Sequence, residues 1–102
     1  HDHTEEVNSQ SFIFDQPFDY EVLDRHFFTY FTFQAKDVYR MKGFVWLKGS
    51  EEQYLIQSVG KRLDFEKNRP WKTTEQKQSI LVFIGKNLER ESLEKLLKSC
   101  LA

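Results

Sequence analysis

The amino-acid sequence predicts an α+β fold in which a mostly antiparallel sheet of about five strands carries two helices on one face. Two amphipathic segments with apolar residues at helical spacing lie towards the two ends of the chain. Between them, apolar and polar residues alternate over several stretches that are joined by short turns. The predicted order of the elements is β-α-β-β-β-β-α.

The composition favours one domain with an aromatic core. The chain has 102 residues, a net charge of −1 and ten Phe, and this length suits a single core that large side chains fill. No apolar run is long enough to span a membrane and the beginning has no signal-peptide pattern, so we expect a cytoplasmic protein without a membrane partner. Because Met41 is the only methionine, we expect the chain to be part of a longer product.

The beginning of the chain is rich in possible metal ligands. Residues 1–9 lack apolar periodicity and are predicted to be a linker or tail, which leaves residues 10–102 as the folded domain. His1, Asp2 and His3 offer imidazole and carboxylate groups that suit zinc. Two His one residue apart rarely complete a tetrahedral site, so we expect at most weak zinc binding here. A plain solvated linker and a purification-tag remnant are the alternative interpretations.

The first strand and helix are indicated by composition and by spacing. β-forming residues at 11–14 predict a short strand. Asp19 is placed to accept a free backbone N–H as the N-cap of the helix that follows. This helix should end before residue 36 and bury a stripe of residues spaced by four, namely Leu23, Phe27 and Phe31.

Beyond residue 37 the apolar period changes from about four residues to two, which predicts strands. Gly43 marks a bulge or a close approach of two backbones in the first of them. The last of them is apolar on both faces, so we expect it in the interior of the sheet. The strands are predicted at residues 39–47, 53–59, 62–66 and 80–84, with a loop at residues 68–71.

The second helix has the clearest amphipathic pattern in the chain. Its apolar stripe includes Cys100, for which we expect core packing rather than reactivity. No nucleophile has a base and an orienting group visible in the sequence, so no catalytic residue is predicted. The stripe comprises Leu93, Leu96, Leu97, Cys100 and Leu101.

Basic and aromatic side chains alternate along the strand at residues 39–47. Arg40 and Lys42 share a strand face with Phe44 and Trp46. The sequence favours core positions for the two aromatic residues, with the bases at the rim. The alternative is an interaction surface in which Arg40, Lys42 and the loop residue Trp71 act as anchors.

Several stretches resemble, in order, the C-terminal domain of the CobW-type metallochaperone GTPases. Residues 40–47 fit the family pattern R-x-K-G-F-x-W-L, and the resemblance extends over the chain from about residue 9. Where that family usually has an Asp cap, this chain has Glu89. The other matching stretches are residues 11–14, 17–23, 57–63, 70–71 and 81–88.

The resemblance implies a non-catalytic interaction or regulatory domain of a GTPase that delivers zinc or cobalt to client proteins. It implies a preceding GTPase domain, which would bind GTP and Mg²⁺, joined by a His- and acid-rich linker like residues 1–6. The phosphate-binding motif G-x-x-x-x-G-K-[ST] does not occur here, so we expect no GTP hydrolysis and no resident cofactor in this chain. The expected partners are that GTPase domain and a metal-receiving client.

A stand-alone binding module for single-stranded nucleic acid or for a protein is the alternative. A sheet with aromatic residues can stack bases. The near-neutral charge argues against nucleic acid, because binding to phosphate chains depends on a cationic surface. If the sheet face opposite the helices is uncovered, we expect the chain to self-associate through it.

Overall fold

Five antiparallel strands form one sheet, and both helices pack against the same face of it. The computed structural model describes residues 6–102, so the predicted tail ligands His1, Asp2 and His3 lie outside the described residues. The predicted order of elements is confirmed: β1 (Val7–Phe14), α1 (Tyr20–Phe33), β2 (Val38–Trp46), β3 (Glu52–Val59), β4 (Arg62–Pro70), β5 (Ser79–Lys86) and α2 (Arg90–Lys98).

The strand order in the sheet is β1-β5-β2-β3-β4. The apolar strand β5 lies between β1 and β2, as its sequence predicted, while β1 and β4 form the two edges. Gly43 of β2 lies where the backbones of β2 and β5 approach each other, since a Cβ atom there would be 2.6 Å from the carbonyl oxygen of Ile80. The bulge in β2 lies instead between Val38 and Arg40.

Helix α1 begins and packs as predicted. The Asp19 carboxylate accepts a hydrogen bond from the Val22 N–H at 3.1 Å and so satisfies one of the free donors of the first turn. The rings of Phe27 and Phe31 contact Phe83 of β5, and the Phe31 ring is stacked on it with a centroid distance of 6.5 Å. The residues of α1 that are buried are Leu23, Phe27 and Phe31.

The predicted bounds of the tail and of the loop after the fourth strand are wrong. β1 begins at Val7, so residues 7–9 belong to the sheet rather than to the tail. The loop predicted at residues 68–71 is largely strand, because β4 continues to Pro70. An edge strand tolerates proline, since one side of it needs no donor.

Helix α2 ends at Lys98, earlier than its apolar stripe suggested. Cys100 nevertheless packs in the core, as predicted, because a turn after Ser99 carries it inward. Leu101 then forms a bridge with Phe18, and the Asp19 N–H donates to the Cys100 carbonyl oxygen at 3.0 Å. The end of the chain is therefore tied to the start of α1. Among residues 6–102, no helix has the length and apolar character needed to cross a membrane.

Candidate interaction surface

The sheet has two faces of different composition because side chains alternate along each strand. One face, with Met41 and Val45 of β2 and Leu81 and Phe83 of β5, belongs to the core under the helices. The other face includes Ile13, Phe44, Leu55, Ile80, Val82 and Ile84, none of which belongs to that core. We call these six residues, together with Arg40 and Lys42, the open face.

An apolar row crosses the open face from the β1 edge. Ile13 pairs with Ile80, Ile80 with Phe44, and Phe44 with Leu55, so four strands contribute one large side chain each. Ile13 is 65% exposed, and Phe44 and Ile80 are each 37% exposed. Exposing apolar side chains to water is unfavourable in free energy, and a partner that covered this row would remove that cost. The row is therefore a candidate contact surface.

Two cations border this apolar surface. Lys42 pairs with Val82 and Arg40 with Ile84, so both side chains adjoin aliphatic residues of β5. Neither has an ion-pair partner within residues 6–102. A groove of about 340 Å³ runs between Arg40, Lys42, Phe44 and the β5 side chains. This arrangement can accept an apolar group that carries a negative charge beside it.

The core position that the sequence favoured for Phe44 and Trp46 is wrong. Both lie with Arg40 and Lys42 on the face away from the helices, where the Lys77 ammonium lies 6.0 Å from the Trp46 ring centroid. Phe44 and Trp46 are the aromatic residues named on this face, and its other large apolar residues are aliphatic: Ile13, Leu55, Ile80, Val82 and Ile84. That composition suits an aliphatic partner better than stacked bases.

Trp71 follows β4 and is held at the end of the sheet. Its backbone N–H donates to the Glu51 carbonyl oxygen at 2.9 Å, and the Arg69 guanidinium lies 5.6 Å from its ring centroid. The indole Nε1 is buried and has no hydrogen-bond partner in the described part of the chain. Trp71 is thus separate from Arg40 and Lys42, so the three predicted anchors do not form one cluster.

A carboxylate closes the loop after Trp71. Arg69 donates to both oxygens of Glu75, at 2.7 and 2.9 Å, and the Lys72 backbone N–H donates to one of them at 2.8 Å. These bonds favour the charged form and lower the pKa of Glu75 to about 2. Three hydrogen bonds to one carboxylate therefore stabilise the loop that carries Trp71.

Neither Cys100 nor His26 is part of the open face. Burial raises the pKa of the Cys100 thiol, which disfavours the reactive thiolate. The His26 Nδ1 lies 3.3 Å from the Ser99 Oγ at the surface. Residues 6–102 contain no group of three or more His, Cys, Asp or Glu side chains arranged to hold a metal ion.

The sequence did not identify Ile13, Leu55 and Ile80 as parts of this surface. Ile80 is in a strand that is apolar on both faces, so its sequence cannot tell which side the helices cover. Ile13 lies between Phe12 and Phe14, which both pack on the helix side of the sheet. Because side chains alternate along a strand, this pattern could have indicated that Ile13 points to the other side.

The chain matches known proteins over most of its length. Residues 7–101 match the family model of the cobalamin synthesis protein cobW C-terminal domain. The zinc chaperone CobW of Pseudomonas aeruginosa is 33% identical over 82 residues, which is 80% of this chain and 19% of that protein. The crystal structure of Zn(II)-bound YjiA GTPase from E. coli has a TM-score of 0.84 at 26% identity, covering 94% of this chain and 30% of that one. A Zn(II)-bound triple mutant of YjiA GTPase gives the same values.

Proposed function

This chain belongs to the family of cobalamin synthesis protein cobW C-terminal domains, and on that premise we propose that it is a non-catalytic interaction and regulatory domain of a longer GTPase that delivers zinc or cobalt to client proteins. The chain spans only 19% of the zinc chaperone and 30% of the YjiA GTPase that it resembles. The names of these relatives support the nucleotide and metal parts of the proposal.

The observation that carries the interaction role is the open face. Its apolar row adjoins the two cations Arg40 and Lys42, which have no ion-pair partner within residues 6–102, on the side of the sheet that the helices leave uncovered. The partner we propose is the GTPase domain of the same parent protein, because a domain linked to this one meets it at a high effective concentration. A contact that changes with the bound nucleotide would give the chain its regulatory role.

The proposed binding is tested with this chain and the GTPase part of the parent as separate polypeptides. Affinity is measured by calorimetry with GDP and with a non-hydrolysable GTP analogue, each with Mg²⁺. We expect Phe44→Asp to weaken binding by about tenfold or more, as for a central contact residue. Phe28→Asp is the matched control, since Phe28 is 63% exposed on α1 and lies off the open face.

Circular dichroism of both variants confirms that they remain folded. No affinity in either nucleotide state, or equal losses in the two variants, would contradict the proposed interaction. Metal binding by His1, Asp2 and His3 stays a separate prediction, because weak zinc binding by the tail and docking through the sheet are independent of each other.

A further inference from the structure

The two edges of the sheet differ in chemistry. β4 carries charged residues along its length, a register irregularity opposite Gln53 and Tyr54, and Pro70 at its end. Charges, bulges and proline are the features by which natural edge strands avoid pairing with other chains. β1, with the sequence VNSQSFIF, has no charged residue and no proline, and it pairs with β5 without a register shift.

The outer side of β1 offers a regular strand for further pairing. Within residues 6–102 no strand pairs with β1 on that side, so alternate backbone N–H and C=O groups point outward. The strand also carries two large apolar side chains that are mostly exposed, Val7 at 61% and Ile13 at 65%. Both lie on the same face of the strand, because they are an even number of residues apart.

We propose that β1 pairs with β1 of a second copy of this chain, antiparallel and about a two-fold axis, so that two sheets join into one. Residues directly opposite each other in such a pair share a face of the sheet. The register centred on Gln10 places Val7 of one copy opposite Ile13 of the other. It also places Ser9 opposite Ser11, and it lengthens the apolar row of each copy by one residue.

A second copy fits this edge because the strand is complementary to itself. A shift of the register by two residues in one direction sets Ile13 opposite Ser9, and a shift in the other direction sets Val7 opposite Ser11. Of these three registers, only the one centred on Gln10 pairs Val7 with Ile13. Since β1 carries no charge, the two copies do not repel each other along the strand. Pairing of one edge buries little surface, so the dimer should be weak and concentration-dependent.

Sedimentation velocity of the full chain over a wide concentration range tests this pairing. We expect a monomer–dimer equilibrium in the wild-type chain. Ile13→Lys should weaken dimerisation by about tenfold or more, because two Ile–Val contacts are lost in each dimer. Ile80→Lys is the matched control, since Ile80 is also on the open face but lies one strand in from the edge. It should leave dimerisation unchanged.

Thermal unfolding of both variants verifies that each remains folded. A chain that stays monomeric at all concentrations overturns the proposal. Equal loss of dimer in both variants also overturns it, since that result indicates contact between two open faces. As a second measurement, hydrogen exchange should slow at alternate β1 amides as concentration rises, and unchanged exchange in a dimeric sample counts against edge pairing. Because Ile80→Lys alters the surface proposed for docking but not the edge, the two proposals can fail separately.

Discussion

The Arg69–Glu75 ion pair controls the loop that carries Trp71. Its bidentate geometry and the third hydrogen bond from the Lys72 N–H distinguish it from ordinary surface pairs, which contribute little to stability. The Glu75 carboxylate binds the Arg69 guanidinium and the Lys72 backbone N–H. Because Arg69 also lies against the Trp71 ring, the carboxylate helps to position that ring as well. Glu75 therefore positions the Trp71 indole, whose Nε1 is the one buried side-chain nitrogen without a hydrogen-bond partner in the described residues.

The ion pair predicts a pH dependence of stability with a definite sign. The folded-state pKa of Glu75 is about 2, below its ordinary value of 4.5, so its contribution is present above about pH 4.5 and is lost as the pH falls towards 2. The difference in the free energy of unfolding between wild type and Glu75→Gln should therefore shrink over this range. Urea unfolding at several pH values measures it.

The matched control is Glu66→Gln, since Glu66 is exposed on β4 and no partner is found for it in residues 6–102. Its difference from wild type should vary little with pH. A Glu75→Gln difference that stays constant between pH 6 and pH 2 would mean that the pair does not hold the carboxylate charged.

The two helices begin with different capping chemistry. Asp19 caps α1 through its side chain, whereas Glu89 at the start of α2 makes no side-chain capping bond. The longer Glu side chain is not among the preferred N-caps, which are short enough to reach the N–H groups of the first turn. The stability of α2 therefore rests on its buried leucines, Leu93 and Leu97, rather than on its first turn.

This contrast makes a prediction about two matched alanine substitutions. Asp19→Ala should lower the free energy of unfolding by about 1 kcal/mol, because it removes the acceptor for the Val22 N–H. Glu89→Ala should change it by less than about 0.5 kcal/mol, since no capping bond is lost. Chemical denaturation of both variants measures the difference. Equal effects would show that the Asp19 bond contributes nothing in solution.

The sequence predicted those features that follow from a local residue pattern. It did not predict those that form only through contact with another element of the fold. The Asp19 cap and the stripe of α1 are local patterns, and both are confirmed. The start of β1 is polar and has strand structure only because β5 pairs with it from Val7 onward. The turn that ends α2 before Cys100 depends on contacts with the start of α1, so helical periodicity alone placed the end too late.

For the candidate surface, the sequence predicted which residues share a face of the strand, but not whether that face is buried. The strand at residues 39–47 is apolar on both of its faces, with Met41 and Val45 on one and Phe44 and Trp46 on the other. The alternation of side chains along the strand shows which residues share a face. Which of the two faces is buried depends on where the helices pack. The sequence thus indicated that Arg40 and Lys42 share a face with aromatic residues and gave the wrong side for the core.

The two faces of the sheet should differ in how much each contributes to stability. Leu81 is fully buried under the helices, while its neighbour Ile80 points to the open face and is 37% exposed. Leu81→Ala should therefore cost about 2–5 kcal/mol in this chain, since it leaves a cavity. Ile80→Ala should cost about 1 kcal/mol or less, because part of the side chain is already in water.

Leu81→Ala and Ile80→Ala also test whether the open face is covered in the longer protein that we propose. If the GTPase domain covers the open face, Ile80 becomes buried there, and the cost of Ile80→Ala in that parent should rise towards that of a buried residue while the cost of Leu81→Ala stays the same. Denaturation of both variants in the two forms of the protein gives the comparison. An unchanged cost of Ile80→Ala would mean that the open face remains uncovered in the parent, which would favour a client protein over the GTPase domain as its partner.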